Sequence, residues 1–209
     1  MVQTKKNFFI AFEGIDGSGK STQVQLLKEN FEKAGHKVYT TFEPTDGPIG
    51  KIIRDIFGGR MEADHRTIAA LFAADRLEHI LNKTNGLIKK LEEGYTVITD
   101  RYYFSSYAYH SVYMDMDWVI ASNLLSAELL KPDFNIYIDI SPELSIERIN
   151  KGRTSTELYE TLENLQNVKN KYTEVIERFK SKEEILIIDG DRQPEMIAHS
   201  IWEKISGLI

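Results

Sequence analysis

The chain has 209 residues, 26 basic and 32 acidic side chains, a net charge of −6 and no cysteine. That length suits one domain with a substantial core, and the lack of cysteine excludes disulfides, zinc–thiolate sites and thiol nucleophiles. The acidic balance argues against bulk attraction to nucleic acid or anionic membrane, so any bound phosphate must be held by local groups.

A polar start at residues 1–7 leads into Phe8-Phe9-Ile10-Ala11-Phe12, which reads as a buried strand. The run is too short for a signal core or a membrane span, so a cytoplasmic protein is expected. Gly14-Ile15-Asp16-Gly17-Ser18-Gly19-Lys20-Ser21 follows at once and matches the phosphate-cradling pattern G-x-x-x-x-G-K-[ST]. Its glycines let the backbone approach an anion, its N–H groups form a nest, and the next helix adds its positive end. Lys20 is placed to reach the terminal phosphates of a nucleoside triphosphate, and the Ser21 hydroxyl to ligate Mg²⁺. Residues 14–22, through Thr22, are the predicted triphosphate seat.

Val24, Leu27, Phe31 and Ala34 then recur at helical steps until Gly35 stops them. A second apolar run covers residues 38–42. Leu71, Leu77, Leu81, Ile88 and Leu91 predict one long helical region ending at Gly94. Residues 96–99 form a third apolar run, followed by Asp100-Arg101. That is the carboxyl end of a strand, where open α/β sheets bind ligands. Asp100 is placed to hold Mg²⁺ through water, and Arg101 to grip a second phosphate with its planar fork.

Further apolar runs occupy residues 136–140 and 185–188. Ser141-Pro142-Glu143 reads as a helix start, and Pro194 opens a last helix through Ile197, Ile201 and Ile205. Residues 151–157 are polar and aperiodic, the pattern of a lid. The whole predicts an α/β fold: a P-loop three-layer α/β/α arrangement with a parallel central sheet of about five strands and a short lid. Residues 1–209 read as one P-loop domain, with the lid at about 148–160.

Asp100-Arg101-Tyr102-Tyr103-Phe104-Ser105-Ser106-Tyr107-Ala108-Tyr109 resembles the D-R-Y-x-x-S-x-x-A-Y signature of thymidylate kinases. Leu71-Phe72-Ala73-Ala74-Asp75-Arg76-Leu77-Glu78-His79 is similar to their L-F-A-A-x-R-x-x-H segment. Phe42-Glu43-Pro44-Thr45 and Ile49-Gly50-Lys51-Ile52-Ile53-Arg54 match two more, in family order. The resemblance implies transfer of the γ-phosphate of ATP to dTMP, with Mg²⁺, in a homodimer.

It also implies roles. Phe72 would stack on thymine and Arg76 would donate to its O4 carbonyl, with Ser105 and Ser106 near the base and Tyr109 beneath the deoxyribose. Glu43 and Pro44 would line the acceptor site, and Arg54 and Arg101 would clamp the acceptor phosphate. Asp16 would orient the acceptor, beside a cation that keeps it from repelling phosphate. Arg153 of the lid would complete the transition-state charge, with Arg148 supporting the ATP. Three positions depart from the family pattern: Phe42, His110 and Leu158. Two other readings stay open. One is a related kinase for another nucleotide or a deoxynucleoside, against which Phe72, Arg76, Tyr109 and Arg54 argue. The other is a nucleotide-dependent switch, which would need no acceptor motifs.

Overall fold

Alternation along the first strand sets the architecture. A computed structural model describes residues 7–152 and 159–207. In it β1 (Phe9–Glu13) is central, and its side chains point alternately to two apolar layers. Phe8, Ile10 and Phe12 pack with Val24, Leu27 and Phe31 of α1 (Lys20–Lys33) and with Ile197, Ile201 and Ile205 of α10 (Pro194–Ser206). Phe9 and Ala11 face the other way, toward α5 (Tyr103–His110) and α9 (Leu162–Phe179). By the same alternation Glu13 faces α5 and α9.

The remaining strands are β2 (Lys37–Phe42), β3 (Tyr95–Asp100), β4 (Phe134–Asp139) and β5 (Ile185–Asp189). They form one parallel sheet in the order β2-β3-β1-β4-β5, with Ala11 opposite Thr99 on one side and Asn135 on the other. All five expected strands are present, displaced by at most two residues at either end. Strand order reverses on either side of β1, so the crevice at its carboxyl end is the natural ligand position.

The helices show two departures from expectation. The long region predicted to end at Gly94 is two helices, α3 (His65–Leu81) and α4 (Leu87–Glu92). The break is local chemistry: the Asn82 carboxamide accepts the N–H groups of Thr84 and Asn85 at 2.9 and 3.2 Å, in competition with the helix ladder. The motif containing Arg54 forms a helix of its own, α2 (Pro48–Phe57), opened by a first-turn proline. The rest comprises α6 (Met116–Ser122), α7 (Leu124–Leu129) and α8 (Pro142–Gly152). At α8 the Ser141 hydroxyl accepts the Leu144 N–H at 3.2 Å, as the start signal predicts. Among the described residues no helix is long and apolar enough to cross a membrane.

Candidate active site

The loop between β1 and α1 owes its shape to glycine. Gly14 has φ 144°, and a Cβ there would lie 2.7 Å from the Ile138 carbonyl oxygen. Gly17 has φ 71°, and its Cβ would lie 2.8 Å from the Ser145 carbonyl oxygen. Lys20 folds back over the loop, its Nζ donating to the carbonyls of Gly14 and Ile15 at 3.1 and 3.0 Å, with Ser18 Oγ at 3.4 Å. Burial, reinforced by Arg101, lowers the Lys20 pKa from 10.5 to about 8 against the pull of Asp100, Asp16 and Glu13. It is a charge poorly solvated until an anion arrives. Ser21 Oγ donates to Asp100 Oδ2 at 2.6 Å across the mouth of the sheet.

A cavity of about 1460 Å³ opens above this loop. That exceeds the roughly 300–1,000 Å³ of a single small-ligand site. It is lined by Asp16, Gly17, Gly19, Lys20, Ser21, Thr22 and Asp100 around the loop, by Phe57, Phe72, Ser106, His110 and Tyr159, and by Arg54, Arg101, Ser105 and Tyr109. Glu43 and Pro44 also line it. Arg148 is shared with a second, smaller cavity formed by Ser18, Gly19, Gln23 and residues 191–194. Gly14 and Ile15 shape the loop from behind. Arg153 lies outside the described residues.

Arg101 organises the middle. Its guanidinium donates to Asp16 Oδ1 at 2.5 Å, to Tyr109 Oη at 3.1 Å, to Ser105 Oγ at 3.0 Å and to the Gly14 carbonyl at 3.2 Å. It also lies 4.8 Å over the Tyr109 ring, a cation–π arrangement. Tyr109 Oη in turn donates to Asp16 Oδ2 at 2.8 Å and accepts the Asp16 N–H at 3.0 Å. Burial opposes charge on Asp16, but Arg101 and Lys20 outweigh it and hold the carboxyl below its usual pKa. Arg101 is thus the cation expected beside Asp16. Arg54 also lines the cavity, bonded to the carbonyls of Pro44 (2.9 Å) and Thr45.

Arg76 sits elsewhere than its sequence neighbours suggest. It is 1% exposed and lies behind the cavity wall rather than in it. Its N–H groups go to Glu43 at 2.9 and 2.7 Å, to Ser106 Oγ at 3.0 Å and to the Asn123 carboxamide oxygen. Glu43 is equally buried and also meets His79 Nδ1 at 3.1 Å. Removing one partner strands a buried charge, so Arg76→Ala should cost about 3–5 kcal/mol in urea denaturation. A loss below about 1 kcal/mol would show that the pair is not held as described.

Several residues here escaped the sequence reading. Asp75 fastens the Glu43-Pro44-Thr45 turn, accepting from the Thr45 N–H at 2.7 Å and its hydroxyl at 2.6 Å. His110 lines the cavity 5.1 Å from the Phe72 ring, with no hydrogen-bond partner for Nδ1 among the described residues; burial, with Arg76 and His65 nearby, lowers its pKa to about 3 and keeps it neutral. Tyr172, from α9, reaches Glu13 and Ser105 at 3.1 and 2.8 Å. The apolar spacing Leu165, Val168, Tyr172, Val175 was a legible signal for α9.

A family model described as thymidylate kinase matches residues 12–201. A probable thymidylate kinase of Thermococcus kodakarensis is 38% identical over 211 residues, covering 96% of this chain and 98% of that protein. One of Methanocaldococcus jannaschii is 35% identical, covering 93% of each chain. A thymidylate kinase of Caldicellulosiruptor saccharolyticus is 35% identical over 208 residues, covering 98% of this chain and 96% of its own.

Proposed function

The chain belongs to the thymidylate kinase family, and from that premise we propose that its long cavity seats ATP and dTMP end to end for transfer of the γ-phosphate, giving ADP and dTDP. The observation that carries this is that Arg101 joins the phosphate loop, through Gly14 and Asp16, to Ser105 and Tyr109 of α5, the helix whose His110 packs on Phe72 in the same cavity. Phosphoryl transfer asks a protein mainly for alignment and positive charge. Residues 14–22 seat the triphosphate, Lys20 meets its outer phosphates, and Arg148 with the smaller cavity takes the adenosine end. Arg54 and Arg101 clamp the monophosphate, while Asp16 and Tyr109 orient it from the sugar side. Phe72 stacks on the thymine beside Ser105 and Ser106. The fixed charge of Arg76 behind Ser106 favours a carbonyl over an amino group at that edge. Glu43 and Pro44 close the acceptor wall, and Arg153 supplies the last cation from the lid at about 148–160.

Ser21 and Asp100, a hydroxyl and a carboxylate 2.6 Å apart, are hard oxygen donors of the kind Mg²⁺ takes while keeping most of its waters. Bound there, Mg²⁺ would neutralise charge building on the phosphate oxygens. We read residues 1–209 as one kinase domain of a cytoplasmic enzyme. Trp118, Leu124 and Leu125, exposed on α6 and α7, favour a homodimer through that face.

The test is coupled ADP release over a panel of acceptors. dTMP should be turned over about 5- to 150-fold better than dCMP, since leaving buried polar groups unpaired costs about 1–3 kcal/mol. Thymidine should not be a substrate. Turnover of thymidine without dTMP would move the protein to the deoxynucleoside kinases; slow hydrolysis unaffected by any monophosphate would make it a switch.

A further inference from the structure

Glu13 is fully buried at the end of β1, on the face toward α5 and α9. Its three partners are hydroxyls and a backbone N–H rather than a cation. Oε1 accepts the Tyr102 N–H at 3.0 Å; Oε2 accepts the Ser105 hydroxyl at 2.5 Å and the Tyr172 hydroxyl at 3.1 Å. Both ends of these contacts lead to Arg101. That residue has φ 74°, the one non-glycine position with left-handed backbone among the described residues. β1 pins the peptides on either side of it: the Arg101 N–H goes to the Phe12 carbonyl at 2.8 Å, and the Tyr102 N–H to the Glu13 side chain. Because Ser105 spends its single proton on Glu13, its lone pairs face the Arg101 guanidinium at 3.0 Å.

We propose that Glu13 is a positioning residue for the acceptor clamp: its carboxylate, accepting at both oxygens, holds the Arg101 backbone and, through Ser105, aims the Arg101 guanidinium. The inference rests on the reading of Arg101 as a phosphate ligand. Its chemistry is specific to a carboxylate. Glutamine has the same shape, but one end of its amide donates. If that end meets Ser105, the serine proton must turn either toward Arg101, donor against donor, or toward the Tyr172 hydroxyl at 2.8 Å, whose own proton then loses its acceptor on residue 13. If it meets Tyr102, it opposes a backbone N–H.

The same groups set a pH dependence. Burial raises the Glu13 pKa from 4.5 to about 7, against hydrogen bonds from Ser105 and Tyr172 and the charges of Arg101 and Arg76. Lys20 of α1 and Tyr107 of α5 also feel its charge. Protonation puts a donor on one oxygen, as glutamine does.

The experiment is a double-mutant cycle of Glu13→Gln with Arg101→Ala, read as kcat/KM for dTMP at saturating ATP from pH 6 to 9. Glu13→Gln alone should lower kcat/KM about 10- to 100-fold, the scale of a misaligned reacting group, with KM for ATP within about twofold. On Arg101→Ala it should add less than about threefold. Wild type should show a limb rising through about pH 7 that Glu13→Gln lacks, while the substrate phosphate's own ionisation, near pH 6, persists in both. If Glu13→Gln does not fold, Ser105→Ala cuts the relay at its middle and must show the same non-additivity. Full effects persisting on Arg101→Ala, or an unchanged pH limb, overturn the role. Failure of the wild type to phosphorylate dTMP would instead overturn the functional reading on which it rests.

Discussion

Arg101→Ala should lower kcat/KM for dTMP about 10²–10³-fold while ATP affinity stays near that of the wild type. The magnitude is that of removing one preorganised donor from developing charge, about 2.7–4 kcal/mol. Arg101 reaches four oxygens at once, on Asp16, Tyr109, Ser105 and Gly14, so its fork is already oriented before any phosphate arrives. Preorganisation of that kind is lost entirely on truncation. Alanine also inherits the left-handed backbone and leaves Asp16 without its cation, a carboxylate then aimed at an incoming anion. Arg101→Gly separates these effects: it relieves the φ of 74° but restores no charge, and should be as inactive as alanine. Arg101→Lys should recover little, because a point ammonium cannot replace the planar fork. Steady-state kinetics with nucleotide-binding calorimetry decide the matter. Near-normal transfer by the alanine variant, or equal loss of ATP binding, would remove Arg101 from the clamp.

Lys20→Met should be the second large loss, about 10²–10³ in kcat, and should come without loss of fold stability. Folding holds this ammonium at a cost. A depression from 10.5 to about 8, at 1.36 kcal/mol per unit, is about 3 kcal/mol against the charged form. The carbonyls it touches do not depend on it. Gly14 also accepts from Arg101, and Ile15 from the Ser18 N–H at 3.2 Å. Methionine therefore removes a buried charge and strands no acceptor. The sign with pH follows. The folded pKa lies below the unfolded one, so the penalty is full below about pH 8 and fades as pH climbs toward 10.5. Lys20→Met should be at least as stable as wild type at pH 7, with the difference closing above pH 8. Urea melts across that range, beside single-turnover transfer rates, test both halves. A variant that is both inactive and several kcal/mol less stable would mean that Lys20 serves the loop's fold rather than its ligand.

The strands and the phosphate loop were legible because their signals are local. Five apolar runs, each followed by a turn or helix signal, need no knowledge of partners, and the G-x-x-x-x-G-K-[ST] spacing carries its own geometry. The break at Asn82 was hidden because apolar periodicity continues through it from Leu81 to Ile88, while the competing side-chain bond is short and polar. The resemblance puts Arg76 at the base, on the same helix face as Phe72. Spacing puts two side chains on one face but says nothing of depth, and Glu43, Ser106 and Asn123 draw the guanidinium behind the wall.

By itself the sequence determined that this chain is a parallel α/β phosphate-binding protein, since strand runs and the phosphate loop arise from neighbours within a few residues; its acceptor side was legible only through resemblance to thymidylate kinases. Only the tertiary structure decided which charges face each other. Glu13 and Tyr172 stand 159 positions apart, and Arg101 and Asp16 stand 85 apart. Those pairs meet because strand alternation and helix packing bring distant carboxylates and cations into one poorly hydrated space. There each one's ionisation is set by the others rather than by its own chemistry.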